Sequence, residues 1–461
     1  MKAPVLAMIA AAILLACGGG DRAAGTATVP KAPAPPVAAA SGDEPPRSDG
    51  DVTEARVHGV RVLVKRVPGA ELVAGHLFVR GGVRNYGKAD AGVEALLVET
   101  SAAGGTERLE RDAYIRALAE LGSSIAADAH DDYSVYAAKA LRPHWDATFD
   151  LLVDVFLRPA LPAAELELQR TFLESRLKHE QQNPDNRLAF LVRQSLFKGH
   201  PYENRPIGTP ETVARLTRAQ LLAHLARLRE TSRLLLVVVG DVEPAHVVEE
   251  VRKAFGEVPI GAYVETPLPA LAFSEGHVAV TEQKLPTNYI QATFTVPGMG
   301  DPEHATALVA LLALNLREFE EVRTKRNLSY APAAVYHYRS AMPIGLLYVT
   351  AVDPRTTMTV MLDQARRLRD EPIGAEELLG DKASLLTRFY LDNETTDGQA
   401  ELLGDAQICG GDWHLVQTLS DRVKAVTPAE IQAFARKHLT RLQTVVLGDP
   451  KTVDEALLKS L

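Results

Sequence analysis

The order of apolar and polar positions predicts a chain of strands and long helices after residue 52. Apolar and polar residues alternate over 60–67 and 278–281, which is typical of strands with one buried face. Apolar residues recur every three or four positions over 145–157 and 162–179, which predicts helices. Helices that stay apart from antiparallel strands favour an α+β fold with helices packed on one face of each sheet.

The same pattern occurs twice, about 210 residues apart. The apolar run Leu-Leu-Leu-Val-Val-Val-Gly-Asp at 234–241 returns as Gln-Thr-Val-Val-Leu-Gly-Asp at 443–449. Before each run lies a helix start, at 216–222 and at 426–432, with a Thr N-cap followed by Gln or Glu three positions later. That spacing is the capping-box arrangement. The repetition predicts two tandem homologous domains, each an antiparallel-rich sheet covered by helices.

The length of the chain agrees with two domains. The part after residue 52 is too long for a single hydrophobic core and sufficient for two. We expect an N-terminal domain over residues 53–262 and a C-terminal domain over 270–461, divided within the Pro-containing stretch 259–269.

The first 17 residues predict a lipoprotein signal peptide. Lys2 is followed by a short apolar run that ends in Leu14-Leu15-Ala16-Cys17, which resembles a bacterial lipobox with Cys17 as the lipidated residue. The following Gly18 favours sorting to the outer membrane, with the protein facing the periplasm. The alternative is an ordinary signal peptide in which the Cys is incidental.

Residues 18–52 are rich in Pro and Ala and predict a disordered tether, because such a segment cannot bury enough apolar surface to offset its ordering entropy. The remaining composition is that of an ordinary globular protein, with 46% hydrophobic and 24% charged residues. A net charge of −9 without a basic stripe argues against nucleic acid as a partner. The second cysteine, Cys409, is interpreted as a buried thiol.

The segment from Gly92 reads Gly-Val-Glu-Ala-Leu-Leu-Val-Glu-Thr and follows a predicted strand and the Gly-rich turn 81–85. This context resembles the catalytic helix of the insulinase/pitrilysin (M16, inverzincin) family. There the motif H-x-x-E-H supplies two His zinc ligands and a Glu general base. The matching positions here are Ala95, Val98 and Glu99. Because Ala and Val neither bind zinc nor transfer a proton, we expect no zinc-dependent catalysis and no metal cofactor in this chain.

Further segments carry the same resemblance. Residues 121–127 and 132–136 resemble the strand pair beside the family's active site, with Ala126 where active members often have a substrate-positioning Asn. The segment 197–211 resembles a family loop. The resemblance covers nearly all of the chain after the tether and implies the same two-domain fold.

The family's third zinc ligand is a Glu on a later helix, and its position falls here on Ser175 or Arg176, next to Glu174. A lone carboxylate cannot hold a catalytic zinc, which needs three protein ligands. The His-carboxylate neighbours at 130–132 and 179–180 point in different directions and are interpreted as exposed polar residues. The sequence contains no H-E-x-x-H, G-x-S-x-G or P-loop motif.

One functional element of the family is retained in the second half. Residues 321–330 resemble its second signature, in which an Arg and a Tyr seven residues later bind the substrate backbone and stabilise the transition state. Arg323 and Tyr330 have that spacing. The alternative is a helix-to-strand junction with Arg323 exposed and Tyr330 in the core.

The resemblance implies the non-zinc-binding type of subunit. In this family some members work in pairs, in which one chain carries H-x-x-E-H and the other supplies Arg and Tyr around an extended peptide. We therefore expect a zinc-bearing M16 homologue as partner and a peptide as substrate. A stand-alone peptide-binding or scaffold lipoprotein is the alternative, and an active peptidase with unconventional ligands is a third hypothesis.

Overall fold

The computed structural model describes residues 43–461. The predicted signal peptide, the proposed lipidation site Cys17 and residues 18–42 of the predicted tether lie outside the described residues. The strands are β1 (Glu44–Asp49), β2 (Val52–Val57), β3 (Val60–Arg66), β4 (Leu72–Arg80), β5 (Ser124–Ala129), β6 (Tyr133–Leu141), β7 (Leu234–Gly240), β8 (His277–Glu282), β9 (Asn288–Thr295), β10 (Ala333–His337), β11 (Ile344–Ala351) and β12 (Gln443–Gly448).

The helices, which make up most of the remaining chain, are α1 (Val93–Ala103), α2 (Arg111–Leu121), α3 (Trp145–Leu157), α4 (Ala163–Gln182), α5 (Pro184–Leu196), α6 (Pro210–Val213), α7 (Arg218–Leu228), α8 (Pro244–Phe255), α9 (His304–Glu318), α10 (Pro354–Asp370), α11 (Ala375–Asp392), α12 (Thr396–Cys409), α13 (Leu415–Ala425), α14 (Pro428–His438) and α15 (Glu455–Leu458). In the range 43–461, no helix is both long enough and apolar enough to cross a membrane.

The strands form two sheets with the same internal order. The first sheet runs β1-β2-β3-β7-β4-β6-β5, and the second runs β8-β12-β9-β11-β10. In each sheet one pair is parallel, β3 with β7 and β8 with β12, and the other pairs are antiparallel. The last five strands of the first sheet therefore correspond one to one with the second sheet, and the predicted α+β fold of two tandem homologous domains is confirmed.

The repeated helix starts form as the sequence predicts. Thr217 accepts from the backbone of Gln220 at the start of α7, and Thr427 accepts from the backbone of Glu430 at the start of α14. In return the Gln220 and Glu430 side chains accept from the N-cap backbone N–H groups at 2.9 and 2.7 Å. Both capping boxes precede the matching strands β7 and β12.

Each sheet packs its own domain's helices on one face and a helix of the other domain on the opposite face. The outer face of the first sheet contacts α12 through a cluster that includes Phe78, Leu403 and Trp413. The outer face of the second sheet contacts α5 through Leu188 and Val192. The sequence predicts helices on one face only. A strand buried on both faces loses the alternation of polar and apolar residues, and the fully apolar run of β7 is the one local sign that the second face is also covered.

The contact between α12 and the first sheet depends on one glycine. A Cβ at Gly404 would lie 2.1 Å from Cζ of Phe78, a separation that no side chain tolerates. Glycine at this position therefore lets the helix of the second domain approach β4 of the first.

The predicted tether is wrong at its C-terminal end. Residues Glu44–Asp49, placed within the disordered range 18–52, form β1 and pair antiparallel with β2. All six residues are exposed, so hydrophobic patterning carries no signal for this strand. Its prolines are tolerated because β1 is an edge strand. The pairing is supported by a 2.7 Å hydrogen bond from the His58 backbone N–H to Asp43.

Candidate functional site

The α1 helix places the degenerate motif inside the first domain. Gly92 caps its N-terminus with a φ of 92°, a conformation that favours glycine. One turn further, Ala95 is 1% exposed and Val98 is 0% exposed within the apolar core. Both side chains are therefore packed among hydrophobic groups, and neither carries an atom that binds a metal.

Glu99, the third motif position, pairs with Arg176. The Arg176 Nη2 donates to Glu99 Oε1 at 3.2 Å and so links α1 to α4. Arg176 is one of the two positions that match the family's third zinc ligand. A carboxylate and a guanidinium thus meet at positions that correspond to a His and a Glu in the zinc-binding pattern.

The local electrostatics leave the pKa of the Glu99 carboxyl above its ordinary value. Burial raises the pKa of the Glu99 carboxyl, Arg176 lowers it, and the neighbouring Asp128 raises it further. One turn along α4, Glu180 accepts a hydrogen bond of 2.5 Å from Arg205, and both side chains are almost fully buried. The charges along this line alternate in sign, so each carboxylate has a cation beside it.

The zinc implied by the family does not fit these residues. A catalytic zinc takes three protein ligands from His, Glu, Asp or Cys. Two of the motif positions here have hydrocarbon side chains, and the third is held by a guanidinium. No reaction step is therefore assigned to a metal on this helix.

The other metal-ligand candidates from the sequence either lie apart from one another or form ion pairs with arginine. Glu174 is half-buried and makes no side-chain hydrogen bond or ion pair within residues 43–461, and Ser175 is exposed. Of the His-carboxylate neighbours, Asp131 pairs with Arg193, Asp132 pairs with Arg84 and Glu180 pairs with Arg205. Asp132 and Glu180 are each 3% exposed, so the interpretation of these neighbours as exposed polar residues is wrong for both acids.

Ala126 lies on β5, at the edge of the first sheet. Among residues 43–461 the strand pairs only with β6, and Ala126 is exposed. An edge strand leaves a row of backbone N–H and C=O groups free to pair with another extended chain. The Ala126 side chain adds no hydrogen-bonding group to this edge, unlike the Asn expected in active members of the family.

Arg323 and Tyr330 lie next to each other at the end of α9. A π-helix over Phe319–Thr324 follows α9 and carries Arg323. The chain then reverses at Asn327, which has a φ of 51°. The guanidinium carbon of Arg323 lies 4.0 Å from the centre of the Tyr330 ring. Tyr330 is 67% exposed, so it is not the core residue that the alternative interpretation required.

The sequence analysis missed the π-helix and the buried residue before it. Glu318 is 0% exposed, and neither of its carboxyl oxygens has a hydrogen-bond partner within residues 43–461. Burial raises the pKa of this carboxyl well above its ordinary value, which favours the neutral form. Single π-helical turns are frequent at functional sites. No local sequence pattern signals them, because they depend on one inserted residue in an otherwise helical stretch.

Comparisons with known proteins agree with this geometry. Residues 61–210 match the family described as Insulinase (Peptidase family M16), and residues 215–385 match the Peptidase M16 inactive domain. The chain therefore belongs to the insulinase (M16) family.

Relatives match over most of the chain or over about half of it. It is 24% identical over 415 residues to an uncharacterized zinc protease of Mycobacterium leprae, covering 87% of this chain and 92% of that protein. It is also 24% identical over 216 residues to subunit 1 of the mitochondrial cytochrome b-c1 complex of Bos taurus, covering 46% of this chain and 45% of that protein.

Solved structures share the fold. A peptidase M16 inactive domain from Pseudomonas fluorescens has a TM-score of 0.79 at 18% identity, covering 86% of this chain and 98% of that one. A protease from Helicobacter pylori has a TM-score of 0.78 at 16% identity, covering 86% of this chain and 99% of that one.

Proposed function

We propose that this chain is the non-zinc-binding subunit of a two-subunit M16 metallopeptidase. A zinc-bearing homologue supplies the metal and the general base, and this chain supplies Arg323 and Tyr330 to the substrate. The contrast between two regions carries the proposal. Ala95 and Val98 are buried and apolar, whereas Arg323 is half-buried beside the exposed ring of Tyr330.

The Arg323–Tyr330 pair suits recognition of a peptide backbone. The guanidinium of Arg323 offers several N–H donors in a fixed plane, and the phenol of Tyr330 offers one O–H donor. Both groups stabilise negative charge that develops on a carbonyl oxygen during acyl transfer. The stacking of the guanidinium on the ring orients the two donors relative to each other before a substrate arrives.

An extended peptide is the substrate class that the edge of the first sheet favours. Strand β5 has one unpaired side, along which a substrate segment adds as a further strand. Main-chain hydrogen bonds supply affinity in this mode and require no particular side chain at Ala126. Selectivity then depends on the residues around the edge and on the partner.

The proposed location is the bacterial cell envelope. A lipid on Cys17 anchors the chain to the outer membrane, with the folded domains facing the periplasm. The sequence pattern of the first 17 residues supports this part of the proposal.

Reconstitution with a homologue from the same organism that carries H-x-x-E-H tests the proposal. We expect the two proteins to co-purify and to cleave unstructured peptides only when mixed. The matched control is a mixture in which the homologue's motif Glu is replaced by Gln. Failure to associate, together with no increase in cleavage on mixing, would remove the partner function.

A stand-alone peptide-binding or scaffold role is the second candidate. The similarity to a subunit of the cytochrome b-c1 complex favours it, since that relative is named for its place in an assembly. This role predicts that the isolated chain binds extended peptides without hydrolysing them, and that no zinc-bearing homologue changes the result.

A further inference from the structure

A group of potential metal ligands lies on helices α3 and α8, apart from Arg323 and Tyr330. His246 and Glu250 are four residues apart on α8 and therefore share one face of that helix. Asp146 lies in the first turn of α3. One donor atom from each of these three side chains lies within 4.8 Å of the other two. The imidazole Nε2 of His246 is 2.9 Å from the Asp146 carboxylate.

The negative charge around this group is poorly compensated. Asp150 lies one turn after Asp146 on α3, and within residues 43–461 neither Asp150 nor Glu250 forms an ion pair with Lys or Arg. Asp146 and Glu250 bring two carboxylates within 4.8 Å of each other. A bound cation would offset the repulsion between these carboxylates.

The group is also accessible. The side chains of Asp146 and His246 are 60% and 49% exposed. Glu250 lines a cleft of about 560 Å³ together with Asp150, Lys253 and Arg229. An ion and its coordinated waters can therefore reach the donors without local unfolding.

We propose that Asp146, His246 and Glu250 bind one divalent transition-metal ion and so join α3 to α8. One imidazole and two carboxylates are a donor set that suits zinc, with ligand distances of about 2.0–2.2 Å. The exposed side chains close the remaining gap by changing rotamers, and water completes the coordination. The metal takes the place of the hydrogen bond between His246 and Asp146.

Calorimetric titration of the full chain with zinc chloride at neutral pH tests this site. We expect one saturable binding event in the unmodified chain and its loss in His246→Ala. Glu250→Gln should weaken zinc binding by about tenfold or more. Loss of a residue that only hydrogen-bonds to a metal ligand already lowers metal affinity by about tenfold, and Glu250 is proposed as a ligand itself. Zinc should also raise the unfolding temperature of the unmodified chain but not of His246→Ala.

Two variants serve as controls. His277 is exposed on β8 and makes no side-chain hydrogen bond within residues 43–461, so His277→Ala should bind zinc as the unmodified chain does. Glu99→Gln should also retain binding, because the proposed site does not include α1. Absence of saturable binding, or binding that survives His246→Ala in a chain with unchanged unfolding temperature, would overturn the proposal. Neither outcome bears on the proposed partner function.

Discussion

Arg176 donates a hydrogen bond of 3.2 Å to Glu99 and connects α1 to α4 at the positions that match the M16 zinc ligands. The pair replaces a metal-mediated link between these helices with an ionic one. Ala95 and Val98 beside it belong to the hydrophobic core of the first domain.

The first prediction is that α1 holds no zinc. Because the metal site proposed on α3 and α8 would contribute its own ion, the measurement uses His246→Ala. After dialysis against zinc-containing and then metal-free buffer, elemental analysis should find only substoichiometric zinc, and the chain alone should hydrolyse no peptide. One tightly held zinc in His246→Ala that is lost in the double variant with Glu99→Gln would contradict this prediction.

The second prediction concerns the packing of α1. Val98→Glu restores the general-base residue of the motif but places a carboxylate at a position with 0% exposure. Without a buried cation as partner, this charge should lower the free energy of unfolding by at least about 3 kcal/mol. Denaturant titration measures the effect, with Glu99→Gln at the neighbouring position, whose side chain is 17% exposed, as control. A loss below about 1 kcal/mol would mean that water reaches the site.

The third prediction is a dependence of domain association on pH. Asp397 on α12 of the second domain accepts a hydrogen bond from His76 on β4 and pairs with Lys139 on β6. The hydrogen bond with His76 is the main cause that lowers the pKa of Asp397 to about 2, with Lys139 acting in the same direction. Because the folded pKa lies below the ordinary value of 3.8, the contribution is present above about pH 4 and is lost as pH falls towards 2.

Thermal unfolding of Asp397→Asn and of the unmodified chain between pH 2 and pH 7 checks this linkage. The variant should unfold at a lower temperature at neutral pH, and the difference should shrink as pH falls below about 4. Asp392→Asn is the control, because Asp392 pairs with Arg388 of its own helix. A difference that stays constant with pH would show that Asp397 acts through shape and not through charge.

The sequence predicts the fold well and the contact between its halves poorly. The repeat of β7 in β12 and the two capping boxes are local patterns, so the duplication can be recognised from the order of residues alone. The approach of Gly404 to Phe78 and the ion pair of Glu99 with Arg176 join residues far apart in the chain, so a single sequence carries no signal for them. The π-helix that carries Arg323 likewise has no local sequence signal.

The fourth prediction concerns membrane attachment. If Cys17 carries a lipid, Cys17→Ser should move the protein from the membrane fraction to the soluble fraction, because stable anchoring requires the acyl chains. Thermal unfolding of the folded domains should not change. Cys409→Ser is the matched control, since Cys409 is the second cysteine of the chain and lies in α12. A Cys17→Ser protein that remains with membranes would contradict the lipobox interpretation.

The final prediction separates a catalytic Tyr330 from a structural one. The ring is 67% exposed, and its hydroxyl makes no hydrogen bond within residues 43–461. Tyr330→Phe should therefore leave folding and assembly with the zinc-bearing partner intact. Removing one donor to a developing oxyanion typically costs about 10²–10³ in rate, so the turnover of the reconstituted pair should fall by that factor.

Two further variants sharpen this result. Arg323→Ala should lower both turnover and peptide affinity, because the guanidinium contacts the bound backbone before and during the reaction. Tyr390→Phe is the control for loss of an exposed phenol elsewhere, since Tyr390 lies on α11 and its hydroxyl hydrogen-bonds to Ser420 at 3.2 Å. Steady-state cleavage and thermal unfolding are measured for each variant. A group that acts on the transition state cannot be lost without a change in rate. Unchanged turnover in Tyr330→Phe and Arg323→Ala, at unchanged stability, would therefore remove the catalytic-partner function and favour the scaffold role.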